Sequence, residues 1–222
     1  MKIDVLTIFP EALEAFFNSS IIKRAKENNK VEINLINFRD FSKCKHKKVD
    51  DYQFGGGAGM VLMPEPIYLA VESVRTNDSK VILMTPQGRV LNQKIAYEFA
   101  EYKHLIIICG HYEGLDERIL DIVDYEVSIG DYILTGGEAA AMVFVDSIVR
   151  LIPNVINEES ISTESFENNL LDYPVYTKPR EFRNKCVPEI LFSGHHKNIE
   201  KWRLEQRLIK TKEKRPDLLK KE

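Results

Sequence analysis

Three short stretches set glycine beside polar or aromatic residues at the ends of apolar runs. They are Thr85-Pro86-Gln87-Gly88, Cys109-Gly110-His111-Tyr112-Glu113-Gly114, and Ser128-Ile129-Gly130-Asp131-Tyr132-Ile133-Leu134-Thr135-Gly136-Gly137. Glycine lets a ligand approach the main chain closely, and a turn that runs straight into a helix offers unpaired N–H groups. The third stretch does run into such a segment, the largely apolar residues 139–151, which read as a buried helix. Three such turns at one edge of a sheet would converge into a pocket lined by backbone amides. That lining suits an uncharged group read along its edge, such as adenine, better than a phosphate.

Other chemistries lack their residues. Gly-x-x-x-x-Gly-Lys-Ser/Thr does not occur, and the glycine loop Phe54-Gly55-Gly56-Gly57-Ala58-Gly59-Met60 has no Lys-Ser/Thr after it, so a P-loop is excluded. No dinucleotide fingerprint follows the first strand, and no Gly-x-Ser-x-Gly elbow is present. His195-His196 has no Cys or carboxylate partner at ligand spacing and fits a helix start better than a metal site. Cys44, Cys109 and Cys186 are odd in number and scattered, which fits neither a disulfide framework nor zinc and points to a reducing, cytoplasmic setting.

The elements that must position the turns follow from hydrophobic periodicity. Apolar strand patterns at residues 2–9, 31–37, 81–84, 105–109 and 122–127 alternate with helical patterns at 10–22, 64–74, 92–101 and 139–151. Alternation of this kind predicts an α/β domain with a mostly parallel sheet. The run at 105–109 is continuously apolar, as in a strand covered on both faces. At 222 residues, 44% hydrophobic and 29% charged, the chain can hold one ordinary core and a smaller appendage. No apolar run reaches membrane-spanning length, and the amino terminus opens on a strand pattern instead of a signal peptide, so no membrane partner is expected.

Composition changes after Pro153. Residues 154–169 are rich in Asn, Ser, Thr and Glu and read as an exposed linker. Residues 175–222 hold fourteen Lys or Arg against seven Asp or Glu, a net +7 that leaves −10 for residues 1–174. A basic tail on an acidic body suggests that a polyanion is met at the tail. In the tail, a helix over 195–212 has Ile199, Trp202, Leu208 and Ile209 as its expected buried positions. The expected division is 1–155, a linker at 156–174, and a small helical carboxyl-terminal domain at 175–222.

The motif Cys109-Gly110-His111-Tyr112-Glu113-Gly114-Leu115-Asp116-Glu117-Arg118, followed by residues 128–138, resembles the bacterial tRNA (guanine-N1)-methyltransferases, the TrmD family of the SPOUT superfamily. Further matches run in the family's order: Phe9-Pro10, Arg39-Asp40-Phe41, Val49-Asp50-Asp51, Pro86-Gln87-Gly88-Arg89, Ile152-Pro153, Leu170-Leu171-Asp172-Tyr173-Pro174 and Ser193-Gly194-His195-His196. The resemblance implies a SPOUT-type parallel sheet with a deep trefoil knot, an exception to the near absence of knots in proteins. It implies S-adenosylmethionine held by Pro86, Gln87, Gly110, Tyr112, Glu113, Ser128, Ile129, Gly130, Asp131, Tyr132, Ile133, Leu134, Gly136 and Gly137. It also implies tRNA as substrate, methylated at N1 of guanosine 37 beside the anticodon, and a site completed across a homodimer.

Methylating guanine N1 requires removal of a proton while negative charge builds on O6, so a carboxylate and a cation are the expected pair. Family correspondence places the base at Glu164, where Asp is usual, and the cation at Arg150. Ala58 stands where the family often has Pro, and Tyr52-Gln53-Phe54 where it often has Arg-Pro-Tyr. Some members require Mg2+; no metal cluster is visible in this sequence. Two other readings stand beside this one, a SPOUT ribose 2′-O-methyltransferase and an RNA-binding protein without catalysis.

Overall fold

The computed structural model describes residues 1–220, with the side chain of Glu158 excepted. Two compact units are present, Met1–Ile156 and Asn157–Glu222. The first opens with β1 (Lys2–Thr7), α1 (Pro10–Phe17), α2 (Ser20–Glu27) and β2 (Glu32–Asn37). It continues through a short ladder of β3 (Asp50–Asp51) and β4 (Val61–Leu62), then α3 (Pro64–Val74), β5 (Ser79–Val90), α4 (Gln93–Ala100), β6 (His104–Cys109), β7 (Tyr125–Ser128) and α5 (Glu138–Val149). Pro10 and Pro64 open their helices, where a missing N–H costs nothing. Asn92 caps α4 by accepting from the Ile95 N–H.

The main sheet has the order β2-β1-β6-β5-β7 and every pairing in it is parallel. Its strands are covered on both faces, and successive residues feed opposite cores. Ile3, Val5, Leu105 and Ile107 join the cluster under α1, α2, α4 and α5, while Leu6, Ile106 and Ile108 join the cluster under α3. Burial of each such side chain stabilises the fold by about 1.5–3 kcal/mol. The expected α/β class with a parallel sheet is therefore what forms.

Two local expectations change in the first unit. The helical pattern over 10–22 is two helices, because Asn18, Ser19 and Ser20 interrupt it and Ser20 takes a positive φ of 48°. The strand expected at 81–84 runs from Ser79 to Val90. Met84 and Arg89 both pair with Val127, so residues 85–88 bend around β7 between two separate pairings with it. Gly88 is obligatory in that bend: a Cβ there would lie 2.3 Å from Glu126 C and Val127 N, both main-chain atoms.

The second unit holds α6 (Glu158–Thr163), the hairpin of β8 (Glu181–Phe182) and β9 (Lys185–Cys186), and α7 (His196–Lys214). The segment read as a linker thus carries a helix of its own and belongs to this unit. On α7 the buried residues are Arg207 and Thr211, while Leu208 and Ile209 are 45% and 50% exposed, against expectation. The reason is the surface α7 meets, a turn-rich stretch whose main-chain groups need hydrogen bonds more than they need apolar cover.

Candidate cofactor pocket

Because β6, β5 and β7 are neighbours, the turns that leave their carboxyl ends are neighbours too, the position where open α/β sheets bind ligands. The three turns enclose a cavity of about 650 Å³ in the first unit. Hydrogen bonds stitch them together. Gly137 N–H donates to Gly110 O at 2.8 Å, His111 bridges Gly136, and Leu91 N–H donates to Ser128 O at 2.8 Å. Gly137 permits the first contact, since a Cβ there would sit 2.8 Å from Cys109 Cα and 2.9 Å from Gly110 N.

Within the third turn, Ser128 Oγ accepts from the Gly130 N–H at 3.2 Å and Tyr132 Oη donates to Ile129 O at 3.1 Å. The second turn is anchored to the glycine loop: Glu113 N–H donates to Met60 O, and Leu62 N–H to Gly114 O. Tyr112 holds a positive φ of 61°, a strained conformation for a tyrosine. Its hydroxyl accepts from Arg39 Nη2 at 3.3 Å, and its ring meets His111 edge-on.

Behind the third turn lies a buried carboxylate. Glu138 opens α5, where the helix amino terminus favours negative charge, and accepts from Thr7 Oγ at 2.6 Å. Thr7 Oγ in turn accepts from the Phe9 N–H at 2.9 Å. Cys109, fully buried, has its thiol pushed well up by burial, with the Glu138 charge adding to it, so it is no nucleophile.

Pro86, Gln87, Gly110, Tyr112, Glu113, Ser128, Ile129, Gly130, Tyr132, Ile133, Leu134, Gly136 and Gly137 all line this cavity. Asp131 is exposed and does not line it. Met84 and Glu126 are wall residues outside the quoted motifs, and Leu115 and Glu117 are wall residues within one that were not assigned to the pocket. Their signal was position, within or just past the strand ends.

The lining includes the carboxylates Glu113, Asp116, Glu117 and Glu126 and no Lys or Arg. Arg118 hydrogen-bonds Asp116 through two contacts of 2.7 Å and holds its carboxyl below the usual range, which leaves three acidic groups without that partner. Such a wall repels phosphate and favours a cation. At the mouth, Ile133 is 81% exposed and Tyr132 54%, apolar surface that a ligand would cover.

Arg150 and Glu164 are not part of this cavity. Arg150 closes the carboxyl end of α5, whose 12 residues span about 18 Å from the Gly137 turn. Glu164 lies in the second unit, half-buried at the end of α6. Among the described residues no three His, Cys, Asp or Glu side chains gather as a metal site, and no helix is long and apolar enough to cross a membrane.

A pocket of knitted strand-end turns with an acidic lining suits small cationic or neutral ligands. The chain belongs to the family described as tRNA (Guanine-1)-methyltransferase TrmD, whose sequence profile matches residues 1–221. It is 59% identical over 220 residues to a tRNA (guanine-N(1)-)-methyltransferase of Mycoplasma capricolum, covering 99% of this chain and 92% of the relative. A Staphylococcus epidermidis protein of the same name is 56% identical over 222 residues (99% and 91% covered). One from Ruminiclostridium cellulolyticum is 55% identical over 226 residues (100% and 97%).

Proposed function

We propose that this chain transfers a methyl group from S-adenosylmethionine to N1 of guanosine in tRNA, at position 37 beside the anticodon, in the bacterial cytoplasm. The observation that carries the reading is the pocket itself, three backbone-rich turns with carboxylates and no Lys or Arg in their lining. The donor is a sulfonium cation with an adenine edge, and both halves suit that lining. His111 Nδ1 is buried without a hydrogen-bond partner in this wall, a cost of about 1–3 kcal/mol that a ligand group reaching it would relieve.

Bound S-adenosylmethionine supplies an electrophilic methyl carbon. Glu164 takes the N1 proton, and Arg150 offsets the charge that grows on O6. Family membership supports both roles. Because α5 holds Arg150 about 18 Å from the pocket turn of its own chain, Arg150 serves the pocket of a second copy, which makes the working unit a homodimer. A deep trefoil knot is supported by the bend of residues 85–88 around β7 and by the seating of Gly137 on Cys109 and Gly110. The basic residues of 175–222 meet tRNA phosphates. No group of three His, Cys, Asp or Glu side chains gathers among the described residues, so magnesium would be held by fewer, with water or substrate oxygens completing its shell.

Nucleoside analysis after incubation with unmodified tRNA transcript and methyl donor tests the reading. The expected product is 1-methylguanosine; a 2′-O-methyl nucleoside, or none, overturns it. Glu164→Gln should lower turnover by about 10²–10⁴-fold with cofactor affinity kept.

A further inference from the structure

The second unit contains an arginine whose position is hard to explain as surface charge. Arg207 is 8% exposed, in the middle of α7, and directs its donors at main-chain carbonyls. Nε donates to Leu171 O at 3.1 Å; Nη2 donates to Glu164 O at 3.1 Å and to Glu167 O at 3.0 Å. Three acceptors from one turn of chain thus converge on a single planar guanidinium, a geometry that a lysine cannot reproduce.

The neighbours of Arg207 along α7 hold the same stretch. Thr211, fully buried one helical turn on, accepts from the Leu171 N–H at 2.8 Å and donates to Arg207 O at 2.7 Å. Arg203, one turn earlier, lies over the Tyr173 ring at 4.7 Å, and Arg215 lies 5.9 Å from the Phe166 ring. Residues four apart share one face of a helix. The face formed by 203, 207 and 211, with Arg215 just past the helix end, is therefore a cradle for residues 164–173.

The cradled stretch needs holding. Phe166, Asn168 and Asn169 all have positive φ, at 77°, 57° and 57°, and Phe166 is the kind of residue that resists it. Phe166 N–H donates to Leu170 O at 2.7 Å, and Asp172 N–H to Ser165 Oγ at 3.0 Å. This tight fold leaves Glu164 as the residue where α6 ends, with φ −70° and ψ 168°. Without donors at its carbonyls the stretch would open and carry the Glu164 carboxylate with it.

We propose that Arg207 is a positioning residue for the methyl-transfer base: it never touches substrate, but fixes the main chain that aims Glu164. The inference rests on the reading of Glu164 as base. It also gives α7 a second duty, since a helix that contacts tRNA through its basic side chains would sense that contact at the turn holding the base.

The test is single-turnover methylation of tRNA transcript by full-length protein, at saturating tRNA and S-adenosylmethionine. Arg207→Met is expected to lower the rate by about 100-fold, the size of effect that a misplacement near 1 Å produces. The dissociation constant for S-adenosylmethionine should stay within about twofold, since the pocket lies in the first unit. Arg207→Lys should recover only part of the rate, and Thr211→Val, which keeps the arginine, should lose about tenfold.

A double variant separates this inference from the reading beneath it. If Arg207 acts through Glu164, Arg207→Met adds no further loss on top of Glu164→Gln. Losses that multiply would place Arg207 elsewhere in the mechanism and overturn the proposal while leaving the base intact. Full activity in Glu164→Gln would instead remove the base, and the proposal with it. An unchanged rate in both Arg207→Met and Thr211→Val would overturn the positioning role alone. Should Arg207→Met fail to fold, Thr211→Val and Arg207→Lys decide, and full activity in both would likewise overturn it.

Discussion

The two units are built on opposite principles. In Met1–Ile156 the sheet is sandwiched between two apolar clusters, and every buried hydrophobic side chain of the described residues except Leu170 lies there. In the second unit the buried side chains described are Leu170, Arg207 and Thr211, and the last two are polar. Area burial holds the first unit, while directed hydrogen bonds shape the second. The contrast matches the proposed division of labour: a pocket that must stay in shape without its ligand, and a stretch proposed to carry the base and to meet a large, variable polyanion.

The sharpest way to break the first half of this contrast is Gly88→Ala. The new methyl would lie 2.3 Å from main-chain atoms of β7, which cannot withdraw without unpairing the sheet. Urea unfolding should show a loss of about 3 kcal/mol or more. A loss below about 1 kcal/mol would mean that the bend around Val127 is loose.

A matched pair of truncations compares the units directly. Phe144, fully buried and stacked edge-on to Phe99 at 5.0 Å, should cost about 3–5 kcal/mol on conversion to Ala and raise amide exchange throughout the first unit. Leu170→Ala, in a sparse core, should fall near the lower limit of about 2 kcal/mol, with faster exchange confined to residues 157–220. Equal and global effects would deny the contrast.

The mildest probe leaves the sequence untouched. Cys44 and Cys186 are exposed and Cys109 is buried with its thiol pushed up in pKa. A thiol reagent at neutral pH should modify two sulfurs quickly and the third only when the first unit opens. Three fast reactions would place the buried end of β6 within reach of solvent.

Much of the first unit is legible in the chain because strands such as Leu105 to Cys109 advertise burial on both faces, and because Asn92 and Pro64 mark helix starts in local chemistry. The long β5 was not: Pro86 and Gly88 are turn residues by every local criterion, and only the return of Arg89 and Val90 to β7 makes the segment one strand. The support of the pocket by Thr7 and Glu138 joins residues 131 positions apart, which no periodicity encodes. The pocket turns were readable from glycine placement at strand ends. The buried stripe of α7 was not, since a helix that faces carbonyls has no apolar period to follow.

The cradle on α7 has a consequence for how the family's sequences can drift. Arg207 and Thr211 grip carbonyl oxygens and an amide, atoms that every residue type possesses, so the hold on 164–171 is indifferent to the identity of the residues it holds. A lineage can therefore exchange one acid for a longer one at position 164 without redesigning its support. Selection would act there on reach alone, not on shape.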